Sequence, residues 1–209
     1  MERDVDSLIF DLDGTLWDAS ETVARAWRAA KSRIDFEIKD ITAEDIRAVA
    51  GIQHELVYQK LFPNLSKEQH EELEKVSSEE ELAHIRKFGG KLYEGMKQTL
   101  EYLHDKYKLF IVSNCQEGYI EAFLDFHDLH HYFDDHESSG STGHPKDENL
   151  KTIVSRHSLQ SPVYVGDTQG DYEASSKAGI PFVYARYGYR EVERYHISIS
   201  SPKELTELF

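Results

Sequence analysis

The sequence predicts an α/β protein in which a parallel sheet is covered by helices on both faces and carries an all-helical insert. Short apolar runs alternate with helical segments after Gly90, and a similar apolar run lies near the N-terminus. The stretch between these two parts is charged and helix-prone. A chain of 209 residues has room for one domain, or for one domain with an inserted lobe.

The N-terminal part begins with a strand pattern. Residues 5–10 form a short apolar run, which predicts a buried strand. The Asp11-Leu12-Asp13-Gly14 segment that follows predicts a tight turn. Val23, Trp27, Ala30 and Ile34 recur at helical spacing, so a long helix is expected next.

The rest of the insert is also predicted to be helical. Two helices are expected at 41–44 and 53–62, separated near Gly51. Residues 66–88 are helix-prone and charged, and Ser78 and Glu81 have the spacing of a capping box, which predicts a helix start there. The all-helical insert therefore spans about residues 16–89.

The C-terminal part alternates between strands and helices. Strands are predicted at 108–113, 162–166 and 180–184, with helices at 95–107, 116–126, 147–157 and 172–178. Such alternation is typical of a parallel sheet with helices on both faces. The α/β core is therefore expected to comprise residues 1–15 and 90–209.

Composition and charge exclude several classes of protein. The chain has 24 basic and 39 acidic residues and a net charge of −15, which argues against a nucleic-acid partner and against an anionic membrane surface. A single cysteine excludes an internal disulfide framework. No apolar run reaches membrane-spanning length and no signal peptide is recognisable, so we expect a cytoplasmic protein. Oligomeric state is not predicted.

Four carboxylates follow two of the predicted strands. Asp11 and Asp13 come directly after the first strand, and Asp167 and Asp171 follow a later one. Ligands of open α/β sheets bind at the carboxyl ends of the strands, so these side chains are expected to converge there. Because converging carboxylates repel one another without a cation, and because Mg²⁺ prefers oxygen ligands, the pattern predicts a magnesium site.

The same residues belong to four ordered motifs. Asp11-Leu12-Asp13-Gly14-Thr15-Leu16, Val112-Ser113-Asn114, Lys146 and Gly166-Asp167-Thr168-Gln169-Gly170-Asp171 resemble the four motifs of the haloacid-dehalogenase-like (HAD) hydrolase superfamily. The resemblance implies a Rossmann-like, doubly wound parallel sheet core (1–15 and 90–209) with an inserted all-helical cap domain (16–89). It is nearest to the helical-cap phosphatases that include the phosphoglycolate phosphatases.

This resemblance implies a Mg²⁺-dependent phosphomonoester hydrolase that acts on a small phosphorylated metabolite through an aspartyl-phosphate. Asp11 would be the nucleophile, and Asp13 would act as general acid and base. Phosphate would be bound by Ser113, Asn114 and Lys146. The implied metal residues are Asp11, Asp13 (through its backbone carbonyl), Asp167 and Asp171.

Some alternatives stay open at this level. Asp171 is expected to bind the metal, directly or through water, or to orient Lys146. A phosphomutase of the same fold would keep all four motifs, and a non-catalytic phospho-ligand binding protein is a third reading. Arg47, Gln53 and His54 flank Gly51, where a cap loop is expected to approach the substrate.

Overall fold

The computed structural model describes residues 5–195 and 197–209, without the side chains of His54 and Glu55. Its strands are β1 (Ser7–Phe10), β2 (Trp17–Asp18), β3 (Lys91–Leu92), β4 (Lys108–Ser113), β5 (Asp135–Ser138), β6 (Pro162–Gly166), β7 (Phe182–Ala185) and β8 (Ile197–Ile199). Six strands form one sheet in the order β5-β4-β1-β6-β7-β8, and all neighbouring pairs are parallel. The predicted α/β fold class is confirmed.

The helices fall into two groups. Between β2 and β3 lie α1 (Ser20–Lys31), α2 (Ala43–Val49), α3 (His54–Leu61) and α4 (Lys67–Phe88). After β3 come α5 (Met96–His104), α6 (Tyr119–His127), α7 (Ser139–Thr142), α8 (Lys146–Arg156), α9 (Gln169–Ala178) and α10 (Leu205–Leu208). The first group forms the helical cap, while its boundaries at 16 and 89 stay a prediction.

Two hydrophobic clusters sandwich the sheet. Along β1, Leu8 and Phe10 enter one cluster and Ile9 enters the other, because successive side chains of a strand point to opposite faces. Leu100 of α5 belongs to the first cluster, and Leu150 of α8 belongs to the second. Helices therefore cover both faces, as the strand–helix alternation predicts.

The cap has its own aromatic centre. The Trp27 ring of α1 stacks on Tyr58 of α3, with ring centroids 5.3 Å apart, and on Phe62 at 5.8 Å. Trp27 and Tyr58 are almost fully buried. Large rings in near-parallel contact bury much apolar surface, which stabilises the packing of α1 against α3.

One predicted helix start is wrong. Residues 67–88 form a single helix, and its capping box consists of Ser66 and Gln69. Ser78 and Glu81 lie inside this helix, where the buried Glu81 side chain points towards the core. The spacing of a capping box therefore occurs here within a continuous helix, because nothing before Ser78 ends the helix that begins at Lys67.

Four strands lie outside the predicted pattern. The antiparallel ribbon of β2 and β3 has only two residues in each strand, and it joins the cap to the core. β5 and β8 are the edge strands of the sheet. β5 consists of the polar residues Asp135–Ser138, so it carries no apolar run from which a strand could be predicted. Among the described residues, no helix is long and apolar enough to cross a membrane.

Candidate active site

The predicted site residues converge at one edge of the sheet. Strands β4, β1 and β6 are neighbours, so their carboxyl ends lie side by side. Asp11 follows β1, Ser113 ends β4 and Asp167 follows β6. Lys146 begins α8 and Asp171 lies in the first turn of α9. Residues far apart in the sequence therefore meet because parallel strands end at the same edge.

Three of the predicted carboxylates form a buried cluster. Asp11, Asp167 and Asp171 each offer an oxygen within 4.8 Å of the others. Burial, followed by the charge of Asp171, raises the pKa of Asp11 to about 6. The same two causes raise the pKa of Asp167 well above its usual value. The cluster fits a Mg²⁺ ion, because oxygen donors are the right ligands and the like charges call for a cation.

Lys146 supplies a positive charge to this cluster. Its Nζ donates to Asp11 Oδ1 at 2.8 Å and to Asp171 Oδ1 at 2.6 Å. Burial alone would lower the pKa of Lys146, but Asp11 and Asp171 outweigh it and raise that pKa above its usual value. Lys146 is therefore held as a fixed cation although it is buried.

Asp171 is engaged through both carboxylate oxygens. Oδ1 accepts from Lys146 and, at 3.1 Å, from the Tyr164 hydroxyl. Oδ2 accepts from the backbone N–H and the hydroxyl of Thr168, which forms a capping box at the start of α9. The contact with Lys146 fits a role in orienting that side chain, and the place of Asp171 beside Asp11 and Asp167 fits metal binding, so both expected roles stay predictions.

Asp167 is fixed by the backbone around it. The Tyr189 N–H donates to Asp167 Oδ2 at 2.7 Å, and the Thr15 hydroxyl donates to Oδ1 at 3.3 Å. Gly14 has a φ of +85°, and a Cβ there would lie 2.2 Å from Asp167 Oδ2. The first motif therefore needs glycine at this position, because any side chain would displace Asp167.

Asp13 lies outside the three-carboxylate cluster and has a different protonation. Burial, then the charge of Asp11 and more weakly that of Glu81, raises the pKa of Asp13 to about 8. The Tyr119 hydroxyl donates to Asp13 Oδ1 at 3.3 Å. At neutral pH Asp13 is therefore mostly protonated while Asp11 is mostly ionised, which suits a general acid beside a nucleophile.

The two predicted phosphate-binding residues after β4 differ in their contacts. Ser113 is buried and lines a cavity next to Asp11. The Asn114 amide donates to the Gly51 carbonyl at 2.8 Å and accepts from the Ser139 hydroxyl at 2.8 Å. The Asn114 side chain thus holds a cap loop against the core, which leaves its backbone N–H as the group suited to a phosphate.

This cavity has a volume of about 110 Å³ and two unlike walls. We call the core wall the floor; it includes Asp11, Asp13, Ser113, Asn114 and Lys146. We call the cap wall the roof; its apolar residues are Val23, Trp27, Ile46, Val49, Ile52 and Val57. At ~30 Å³ of liquid volume for each water, the space holds roughly three or four waters, so it suits a small ligand.

The cap is closed over the floor by contacts at the rim. Arg190 donates to the Ala48 carbonyl at 2.6 Å, and Arg47 pairs with Asp18 at 2.8 Å. Of the three expected cap candidates, Arg47 is therefore engaged away from the cavity. Gln53 is exposed and lines a separate polar cavity, and the side chain of His54 lies outside the described part of the chain.

Several residues of the site carry no motif and were missed by the sequence prediction. Glu81 accepts hydrogen bonds from Trp27 Nε1 at 2.5 Å and from Gln116 Nε2 at 2.8 Å. Tyr119 holds Asp13, and Tyr189 contacts both Asp167 and Asp18. Each is a buried or half-buried polar group that no functional motif marks, so only tertiary contacts identify it.

Comparison with known proteins agrees with this geometry. The profile of the family described as haloacid dehalogenase-like hydrolase matches residues 8–185. A phosphoglycolate phosphatase of Aliivibrio fischeri is 29% identical over 228 residues, covering 100% of this chain and 95% of its own length. The phosphoglycolate phosphatase of Aquifex aeolicus is 27% identical, covering 96% and 95%.

Solved structures support the fold. A haloacid dehalogenase-like family protein from Streptococcus pneumoniae has a TM-score of 0.85 at 23% identity, with 99% of each chain covered. A protein described as a predicted phosphoglycolate phosphatase from Haemophilus somnus has a TM-score of 0.86 at 18% identity, covering 100% of this chain and 99% of its own. The chain therefore belongs to the haloacid dehalogenase-like hydrolase family and is a phosphatase of that family.

Proposed function

We propose that this protein is a Mg²⁺-dependent phosphomonoester hydrolase that acts on a small phosphorylated metabolite through an aspartyl-phosphate on Asp11. The observation that carries the proposal is the unequal protonation of two carboxyls. Asp11, which contacts Lys146, has a pKa of about 6, and Asp13 has a pKa of about 8. One carboxylate is thereby suited to attack and the other to donate a proton. A cytoplasmic location stays a prediction.

In the first step an ionised Asp11 oxygen attacks phosphorus while the bond from phosphorus to the leaving oxygen breaks. Asp13 donates its proton to that leaving oxygen, so the alcohol departs neutral. Asp11, Asp167, the backbone carbonyl of Asp13 and, directly or through water, Asp171 would hold Mg²⁺, whose charge would offset that of the phosphate. Asp13 then leaves the first step ionised, ready to act as a base.

In the second step a water attacks phosphorus and the bond to Asp11 breaks, releasing inorganic phosphate. Asp13 accepts the proton of the attacking water, which restores both carboxyls to their starting states. Lys146 holds a fixed positive charge beside the transferring group throughout. The Ser113 hydroxyl and the Asn114 backbone N–H are the proposed donors to its oxygens.

The test compares Asp11→Asn with Asp125→Asn, which makes the same chemical change at an exposed carboxylate. We expect Asp11→Asn to abolish phosphate release from an aryl phosphate with Mg²⁺ present, and Asp125→Asn to keep the wild-type rate. Mass spectrometry of quenched wild-type turnover is expected to find a phosphoryl adduct on Asp11. Wild-type rates in Asp11→Asn would contradict the mechanism.

A chelation experiment tests the metal requirement, and analysis of the products distinguishes hydrolysis from the competing functions. Chelation is expected to stop phosphate release and Mg²⁺ to restore it; activity that survives chelation would contradict the metal requirement. A phosphomutase would instead convert a sugar phosphate to an isomer without free phosphate. A binding protein would keep the ester intact, although such a protein has no need of both Asp11 and Asp13.

A further inference from the structure

We propose that the alcohol released by this enzyme is small and apolar and carries no negative charge. This inference rests on the proposed function and assigns its substrate class. It differs from what the names of the curated relatives suggest, since glycolate, the alcohol of phosphoglycolate, carries a carboxylate. Three features support it independently: the apolar roof, the engagement of the nearby cationic side chains with other partners, and the carboxyl of Glu81.

The roof is built to contact an apolar group. Val23 and Trp27 come from α1, and Ile46 and Val49 come from α2. Ile52 and Val57 complete the wall, so the leaving group would face aliphatic and aromatic carbon on this side. A carboxylate placed against these side chains would lose its hydration without gaining a donor from them, since the Trp27 N–H already donates to Glu81, and this disfavours its binding.

The described cationic side chains in and around the cavity already contact other groups of the protein. Among the described residues that line it, Lys146 carries the only positive charge, and this charge is bound to Asp11 and Asp171 at the floor. Arg47 and Arg190 close the rim through Asp18 and the Ala48 carbonyl. A carboxylate of the leaving group would therefore find no cationic partner among them.

Glu81 adds a repulsive group between floor and roof. Its side chain lines the cavity from α4, and the Trp27 indole and the Gln116 amide each donate to one of its two carboxyl oxygens. These bonds fix the carboxyl in place, so it does not turn away from an incoming anion. A carboxylate of the leaving group would lie close to this fixed carboxyl in the cavity and be repelled by it.

The test uses three esters of similar size and wild-type enzyme with Mg²⁺. In isobutyl phosphate a branched alkyl group replaces the carboxylate of 2-phosphoglycolate with nearly the same shape, and O-phosphoethanolamine carries an amine. We expect kcat/KM for isobutyl phosphate to exceed that for 2-phosphoglycolate by about tenfold or more, because one substrate fills the roof and the other meets unpaired charge. It should also exceed kcat/KM for O-phosphoethanolamine.

Two cavity variants test the cause. Ile46→Lys introduces a cation into the roof, and Glu81→Gln removes the carboxyl while keeping its shape. Each is expected to raise kcat/KM for 2-phosphoglycolate relative to isobutyl phosphate by about tenfold. Arg25→Lys, on the exposed face of α1, is the matched control and should leave the ratio unchanged. Thermal unfolding and circular dichroism check that each variant is folded.

The outcomes distinguish this inference from the proposed function. Faster hydrolysis of 2-phosphoglycolate or of O-phosphoethanolamine than of isobutyl phosphate overturns the inference and leaves the phosphatase mechanism standing. An unchanged ratio in both Ile46→Lys and Glu81→Gln overturns the assignment of selectivity to the roof and Glu81. Failure of wild-type enzyme to release phosphate from any ester, aryl phosphate included, overturns both.

Discussion

The floor and the roof of the cavity are two regions built on opposite principles. The floor consists of polar and charged side chains, and its charged groups are held by hydrogen bonds to partners distant in sequence, such as Lys146 to Asp11. The roof consists of apolar side chains on three helices and a loop, held by packing such as that of Trp27 on Tyr58. Hydrogen bonds hold the side chains of the floor in position, whereas close packing of apolar groups holds those of the roof.

Because the two regions differ in this way, we expect the floor to determine the rate of the chemistry and the roof to determine which substrate is chosen. A group of the floor has a defined protonation and position, so its replacement is expected to lower kcat. A residue of the roof contacts only the leaving group, so its replacement is expected to change KM and the choice of substrate. Substitutions in each region, and at the boundary between them, test this division.

The largest effect is expected for Lys146→Met. Asp11 and Asp171 would lose the cation that both contact, so kcat should fall by about 10³–10⁵-fold, as for other cations that act on a transferring phosphoryl group. Breaking one partner out of a buried ion pair should also lower the free energy of unfolding by about 3–5 kcal/mol. Steady-state kinetics and chemical denaturation measure the two effects.

Lys151→Met is the control for that substitution. Lys151 lies on the same helix and pairs with Asp147 four residues away, but the side chain is half-exposed. Its removal should change the free energy of unfolding by no more than about 0.5 kcal/mol and leave kcat unaltered. Equal losses in both variants would show that the floor does not depend on the charge of Lys146.

Asp13→Asn is expected to give the next largest effect. Without a proton donor, kcat for an alkyl phosphate should fall by about 10²–10⁴-fold. An aryl phosphate with an acidic leaving group needs less protonation, so the first step should suffer less and the aspartyl-phosphate should accumulate. Burst kinetics with both esters test this. Equal losses without accumulation would contradict a role for Asp13 in proton transfer.

The protonation of the floor also predicts how stability depends on pH in chelator-treated protein. The pKa of Asp13 is raised to about 8, so folding takes up a proton between the unfolded and folded pKa values. The contribution is complete at low pH and is lost as the pH rises through about 8. Asp13→Asn should therefore gain stability relative to wild type as the pH rises over this range, in denaturation series at several pH values.

Asp135→Asn provides a control of opposite sign. The partners His157 and Arg156 hold the pKa of Asp135 below its usual value, against the effect of burial. Its contribution is present above the unfolded pKa and lost as the pH falls through the folded one. Asp135→Asn should therefore destabilise the protein at neutral and alkaline pH, and the same trend in both variants would contradict the assigned protonation.

The floor could largely be predicted from the sequence, and the roof could not. Asp11 and Asp167 each follow a short apolar run that predicts a strand. The ends of parallel strands meet at one edge of a sheet regardless of the sequence between the strands. The family motifs then single out Lys146 and Ser113. The edge strand β5 and the β2–β3 ribbon were missed, because each is too polar or too short to leave a pattern.

Glu81 illustrates why the roof escapes prediction. Its spacing from Ser78 matches a capping box, so local sequence places it at a helix end and on the surface. Its actual partners, Trp27 and Gln116, lie 54 and 35 residues away along the chain. Contacts between residues so far apart in the sequence depend on how the cap packs against the core, so the hydrophobic periodicity of a segment does not predict them.

A smaller effect is expected where the cap loop contacts the floor. Gly51 has a φ of +81°, and a Cβ there would lie 2.6 Å from the Thr168 hydroxyl oxygen. Gly51→Ala should lower the free energy of unfolding by about 1–2 kcal/mol and raise KM, because the loop must move away from α9. Gly143→Ala, also at positive φ but with open space around it, should share the strain and leave KM unchanged.

The smallest effect is expected at the rim, where Arg47→Ala removes the ion pair with Asp18 and the contact with the Tyr189 ring. The Arg47 side chain is 40% exposed, so stability should change by only about 0.2–1 kcal/mol. KM should rise a few-fold while kcat holds, since the rim keeps the roof closed and takes no part in the chemistry. Lys39→Ala breaks an ion pair of the same length that lies within the cap, and should leave KM unchanged. If both variants raise KM equally, closure does not depend on Arg47; if Arg47→Ala lowers kcat alone, the division between floor and roof fails at their boundary.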